Sequence, residues 1–163
     1  MEAVPPSGGV GGSAKYFAYG SNMASDVMDG WCAAHRFLAP ARLDGFRLLF
    51  LRRSVRWKAG AADVVEDPGA ATWGVLYELS AADLEALDIK EYAAQGGYRR
   101  RTVEVTTPDG ARHTAVTFEV VDKEPRELAP MPEYVEILIR GARERELPRD
   151  WIAVLEALPE RFA

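Results

Sequence analysis

The sequence predicts an α+β domain: a mixed, strongly curled or closed, barrel-like β-sheet of about 5–7 strands with flanking helices. Three observations lead there. Short runs rich in aromatic and β-branched residues recur between Gly, Pro and Asp turn signals. Helical stretches interrupt these runs without the regular alternation of a doubly wound nucleotide fold. The last third of the chain then changes to helical spacing.

Along the chain, residues 1–14 read as a flexible Gly- and Pro-rich tail and 15–163 as one domain. Lys15–Tyr19 is a buried strand that stops at the turn formers Gly20-Ser21-Asn22. A short helix through Val27, Met28 and Trp31 follows, with Ser25 or Asp26 near its N-cap. Leu43–Leu51 is a second strand, bent at Gly45, and Asp67-Pro68-Gly69 marks a loop over 63–71. Trp73–Leu79 alternates as a third strand. Ser80 and Asp83 have capping-box spacing and start a helix running to about Tyr92, which Gln95-Gly96-Gly97 ends. Tyr98–Thr106 and Arg112–Val121 form a hairpin around Pro108-Asp109-Gly110. Tyr134, Ile137, Leu138 and Gly141 share one helix face, and Pro148 opens a last helix with Trp151, Leu155 and Leu158 inward.

The 163 residues suit one domain, and 48% apolar with 28% charged is an ordinary globular composition. No run is long and apolar enough to span a membrane, and the N-terminus lacks the basic and apolar regions of a signal peptide. The lone Cys32 excludes an internal disulfide and argues against a protein-encoded zinc site; it points to the cytoplasm. A net charge of −5 argues against nucleic acid as a partner. The basic runs Arg52, Arg53, Arg56, Lys58 and Arg99–Arg101 read first as solvated strand faces, with anion binding, for instance of a substrate carboxylate, as the alternative.

Glu91 is the most informative residue. Leu84 and Leu87 define an apolar helix stripe, and Glu91 lies seven and four residues beyond them on it. Acidic side chains are rarely directed inward unless paired or functional, and such a position suits a general base. Asp88, on the flank of the stripe, is the rival; the plain alternative is a helix that frays and leaves Glu91 on the surface. Tyr19-Gly20-Ser21-Asn22 is the second candidate, because a strand ending in such a turn offers free backbone N–H groups to a carboxylate or oxyanion. An ordinary strand-to-helix turn is its alternative. Cys32 and His35 lie three apart, but a buried structural cysteine is the better reading. His113 is expected to face solvent.

These pieces resemble the γ-glutamylcyclotransferase family, with its γ-glutamylamine cyclotransferase and plant avirulence-induced-like relatives. Tyr16–Met23 is similar to the family's YFAYGSNL signature, and Ala41–Leu48 to the strand that comes after it. Pro68, Trp73–Tyr77 and Leu87–Glu91 resemble its WGVVW and LD-x-x-E segments, Gly97-Tyr98 its G-x-Y, and Pro132, Tyr134, Gly141-Ala142 and Leu147-Pro148 its C-terminal pattern. The resemblance runs from about Lys15 to Leu158. Two departures bear on the substrate: Tyr92 stands where the family usually has Gly, and Trp57–Ala62 replaces a more Gly-rich stretch.

The resemblance implies a γ-glutamylcyclotransferase-like fold and an intramolecular reaction. The α-amine of a γ-glutamyl group attacks its own γ-carbonyl, releasing 5-oxoproline and an amine or amino acid. Glu91 would be the catalytic acid/base, and Tyr19, Gly20, Ser21, Asn22, Tyr98 and Tyr134 would bind substrate. No metal and no cofactor are implied. The partner is a small γ-glutamyl compound, and a homodimer is left open. The competing reading is a non-catalytic small-ligand-binding module on the same fold, against which Glu91 counts; a different transfer or lyase reaction is the third.

Overall fold

A computed structural model describes residues 12–163, so 1–11 of the expected tail lie outside the described residues. Ser13 and Ala14 are not tail but the start of the first strand, paired with Ser80 and Leu79. The strands are β1 (Ser13–Ala18), β2 (Arg36–Arg53), β3 (Gly60–Ser80), β4 (Tyr98–Thr106) and β5 (Arg112–Val120). The helices are α1 (Ser25–Trp31), α2 (Ala81–Lys90), α3 (Pro132–Glu144), α4 (Arg149–Glu156) and α5 (Leu158–Arg161). The strands close into a barrel in the order β1-β3-β2-β4-β5. All neighbours are antiparallel except β1 and β5, whose parallel contact at Tyr16 and Val116 shuts it. This is the mixed, closed sheet expected from the sequence. Among the described residues no helix is long and apolar enough to cross a membrane.

The largest departure concerns 63–71, expected as a loop and found inside the 21-residue strand β3. Pairing runs Phe46 to Glu66 and then Asp44 to Ala71, so Asp67-Pro68-Gly69 is accommodated as an irregularity in the ladder. Gly69 (φ +90°) and Gly45 on the facing strand (φ +81°) take the left-handed conformations that bend both strands together. Pro68 needs no ladder N–H there. The turn signal was real, but long-range pairing on both sides of it kept the strand going. Strand β2 likewise extends well beyond Leu43–Leu51.

Smaller corrections have similar causes. Helix α1 has Ala24 at its N-cap, and Ser25 is its first residue, because the carboxylate of Glu144 accepts from Ser25 N at 2.9 Å and from its hydroxyl. Ser80 does cap α2, accepting from Asp83 N at 3.1 Å. His113 does not face open solvent: its ring lies 2.9 Å from Lys15 Nζ and 3.1 Å from Thr107 Oγ1. The core fills the barrel with Phe17, Phe50, Leu43, Leu76 and Tyr77, and continues to Leu138 and Leu155 under the C-terminal helices.

Candidate active site

Helix α2 ends one residue before Glu91, which is its C-cap, and Tyr92 comes next in the left-handed region at φ +56°. This is the usual way to stop a helix, with C′ in the position normally given to Gly. Gly97 N donates to the Tyr92 carbonyl at 2.9 Å, and Tyr98 N to the Glu91 carbonyl at 3.1 Å. The helix thus stops before Tyr92, earlier than the spacing suggests. The turn nevertheless directs the Glu91 side chain inward, where it is 16% exposed.

Glu91 meets the end of β1. After Ala18 the chain makes a single 3-10 turn over Ser21–Met23, and the first N–H groups of such a turn have no acceptor within it. Asn22 Nδ2 donates to Glu91 Oε2 at 3.1 Å and to the Tyr16 hydroxyl at 2.8 Å. Asn22 Oδ1 is buried without a donor among the described residues. Lys90 Nζ lies 3.5 Å from the same carboxylate oxygen.

Gly20, Ser21, Asn22, Glu91, Tyr98 and Tyr134 share one small cavity of about 40 Å³, room for about three waters or one small polar group. Tyr16, Tyr19, Ala62 and Phe118 complete its wall. Two tyrosines grip the backbone of Ala62: the Tyr134 hydroxyl accepts from its N–H at 3.0 Å, and the Tyr98 hydroxyl donates to its carbonyl at 2.8 Å. The Tyr134 proton has no acceptor among the described residues. Burial above all raises the pKa values of Tyr16, Tyr98 and Tyr134, with the Glu91 charge adding to each, so all three stay protonated. The Tyr19 hydroxyl is spent on the Phe118 carbonyl at 2.6 Å, so Tyr19 offers the cavity a ring wall.

All seven residues singled out in the sequence therefore border one cavity. The rivals stand elsewhere. Asp88 is held by Arg100 through bonds of 2.9 and 2.7 Å. Cys32 is buried, its thiol pushed up to about 12 first by burial, and it points to the Asp83 carbonyl at 3.5 Å. His35 Nδ1 faces the Cys32 carbonyl, not its sulfur, so there is no Cys–His dyad. Sequence reading missed Tyr16, Ala62 and Phe118 as wall residues. A hydroxyl-bearing ring in a buried strand was a usable signal for Tyr16; nothing local marks Ala62 or Phe118. Among the described residues no three His, Cys, Asp or Glu side chains gather as metal ligands would.

A family model described as the AIG2-like family matches residues 71–155. The γ-glutamylcyclotransferase of Bos taurus is 31% identical over 152 residues, covering 91% of this chain and 80% of its own. That of Homo sapiens is 31% identical over 147 residues, with 88% and 77% covered. A solved structure titled as a γ-glutamyl cyclotransferase superposes with a TM-score of 0.85 at 31% identity, covering 90% of this chain and 88% of that one. A yeast γ-glutamyl cyclotransferase specific to glutathione, at 14% identity and a TM-score of 0.61, shares the fold.

Proposed function

The chain belongs to the AIG2-like, γ-glutamylcyclotransferase family, and from that premise we propose that it cyclises a γ-glutamyl group to 5-oxoproline with Glu91 as acid/base. One contact carries the proposal: the bond from Asn22 to Glu91 that aims the carboxylate into the cavity beside the Gly20–Asn22 turn. The γ-glutamyl α-amine loses a proton to Glu91 and attacks the γ-carbonyl, forming the ring C–N bond. The tetrahedral oxyanion is held by N–H groups of the turn, and the Tyr134 proton supplies a further donor. The bond to the leaving nitrogen breaks as Glu91 returns the proton, so one carboxylate serves both transfers and no water is consumed. Asn22 Oδ1 supplies an acceptor for the substrate amine. Because both reacting groups belong to one molecule, holding the cyclising conformer provides much of the acceleration. Residence in the cytoplasm is part of the same proposal.

The test is 5-oxoproline release from a panel of γ-glutamyl amino acids and γ-glutamylamines, repeated with Glu91→Gln. That variant keeps the shape and removes the proton acceptor, so turnover should fall by roughly 10²–10⁴ while binding persists. A module that only binds would hold the same compounds and release nothing. Near-normal turnover by the variant would remove Glu91 from the chemistry.

A further inference from the structure

Outward from Glu91 the small cavity adjoins a larger chamber of about 600 Å³, which shares Ser21, Glu91, Tyr98 and Tyr134 with it. With the reacting amine of a γ-glutamyl group seated in the inner cavity beside Glu91, the rest of the substrate, including the part that leaves, extends into this chamber. The chamber has an unusual charge balance for a chain of net charge −5. Among the described residues, Arg52, Arg56, Lys90 and Arg140 line it against only two carboxylates, Asp26 and Glu91. Arg140 is bound to Asp26 at 2.9 Å, and Lys90 is the cation beside Glu91. Arg56 is exposed and stacks on Trp57.

Arg52 remains. It is half-buried, with its guanidinium carbon 5.5 Å from the Tyr98 ring centre and 5.8 Å from that of Tyr92. Among the described residues it has no carboxylate within 4.0 Å and donates no hydrogen bond, whereas Arg99, Arg100 and Arg101 are all ion-paired. Arg52 is not among the side chains with buried unpartnered nitrogens, so its donors open onto the chamber and are free to take an anion there. The backbone makes room for it there: a Cβ on Gly97 would stand 2.9 Å from Arg52 Nη2 and 2.7 Å from the Glu91 carbonyl. The same glycine therefore seats the guanidinium against the turn that carries Glu91, within cation–π reach of the Tyr92 and Tyr98 rings. Arg52 also lies outside every motif on which the family resemblance rests.

We infer that Arg52 is a specificity-determining residue, binding an anionic group, a carboxylate by preference, on the departing part of a γ-glutamyl substrate. This role rests on the cyclisation reading of the inner cavity. The planar fork matches a carboxylate in two-pronged geometry, and the site discriminates against the same substrate with that charge removed. The decisive pair is γ-glutamylalanine and γ-glutamylalaninamide, which have the same shape and differ in one charge. Wild type should favour the acid in kcat/KM by about ten- to hundredfold, the scale of a charge-assisted hydrogen bond. Arg52→Gln should bring the ratio near one, and Arg52→Lys should restore part of it. Calorimetric binding of both compounds to Glu91→Gln, with and without Arg52→Gln, reads the same ratio without turnover. If neither compound yields 5-oxoproline but the binding ratio collapses with Arg52→Gln, the subsite stands and the cyclisation reading fails. If 5-oxoproline forms and the ratio is unchanged by Arg52→Gln, the subsite is wrong and the reaction stands. Failure of Glu91→Gln to bind the acid more tightly than the amide also overturns it.

Discussion

Tyr92 holds a left-handed backbone at φ +56°, which costs about 1–2 kcal/mol for a residue with a Cβ. The residue is 40% exposed, so packing returns little of that. Tyr92→Gly should therefore melt about 2–8 °C above Tyr92→Ala, because both remove the ring and only glycine relieves the backbone. Equal melting temperatures would mean that the turn carries no strain. Gly20 is a different kind of glycine. Its φ is −120°, and an added Cβ would sit 3.4 Å from the Tyr134 hydroxyl and Ala62 Cβ, an ordinary contact. Gly20→Ala should fold normally while placing a methyl in the small cavity. It should lose about 10²–10³ in kcat/KM, the scale of one oxyanion donor, and more than Ser21→Ala loses. A larger loss for Ser21→Ala in folded protein would assign the contact to the hydroxyl.

Helix α3 does more for the site than supply Tyr134. Its Gly141 presses on the loop after β1: a Cβ there would be 2.7 Å from Ala24 N and 2.8 Å from Met23. Backbone and a buried side chain cannot both yield, so Gly141→Ala should push helix and loop apart. We expect a loss of about 1–3 kcal/mol from overpacking, larger than the roughly 1 kcal/mol that alanine gains in helix propensity, together with lower kcat/KM as Asn22 moves from Glu91. A raised melting temperature would show that the loop gives way freely. In α2 the C-cap matters more than the stripe. Leu84 and Leu87 bury the helix, but the turn at Tyr92 directs Glu91.

At the scale of the molecule, the barrel is tied across its interior by Asp63, a fully buried carboxylate on β3. One oxygen accepts from Val64 N and from Val120 N of β5, both at 2.9 Å, and the other binds Lys123 at 2.7 Å. Burial outweighs these partners and raises its pKa. An acid whose folded pKa stands above its unfolded value carries a stability cost that is full above the folded pKa. The cost is withdrawn as pH falls through that value. Lys123→Met removes the cation and enlarges the cost. The variant should lose about 2 kcal/mol near pH 7.5, below the usual toll for a broken buried pair because Lys123 is 35% exposed. The deficit should shrink toward pH 5 in melts of both proteins. Equal deficits at the two pH values would show that Asp63 is not ionised beside Lys123.

The features legible in the chain alone were local. Ser80 as the α2 cap, β4 at Tyr98–Thr106, its hairpin with β5 and the inward face of α3 all come from capping and periodicity within a few residues. Glu91 and the Gly20–Asn22 turn could be nominated the same way, each from its own neighbourhood. Their meeting could not be read there. Asn22 and Glu91 are 69 residues apart, Ala62 and Tyr134 are 72, and what joins them is the register of β1 on β3 and the closure of β1 on β5. Long-range pairing made Asp67-Pro68-Gly69 an irregularity rather than a loop, and it buried Asp63. The physical reason is common to both. A turn signal or a charge sets a local preference of a few kcal/mol at most, and ladder hydrogen bonds formed with distant strands outweigh it.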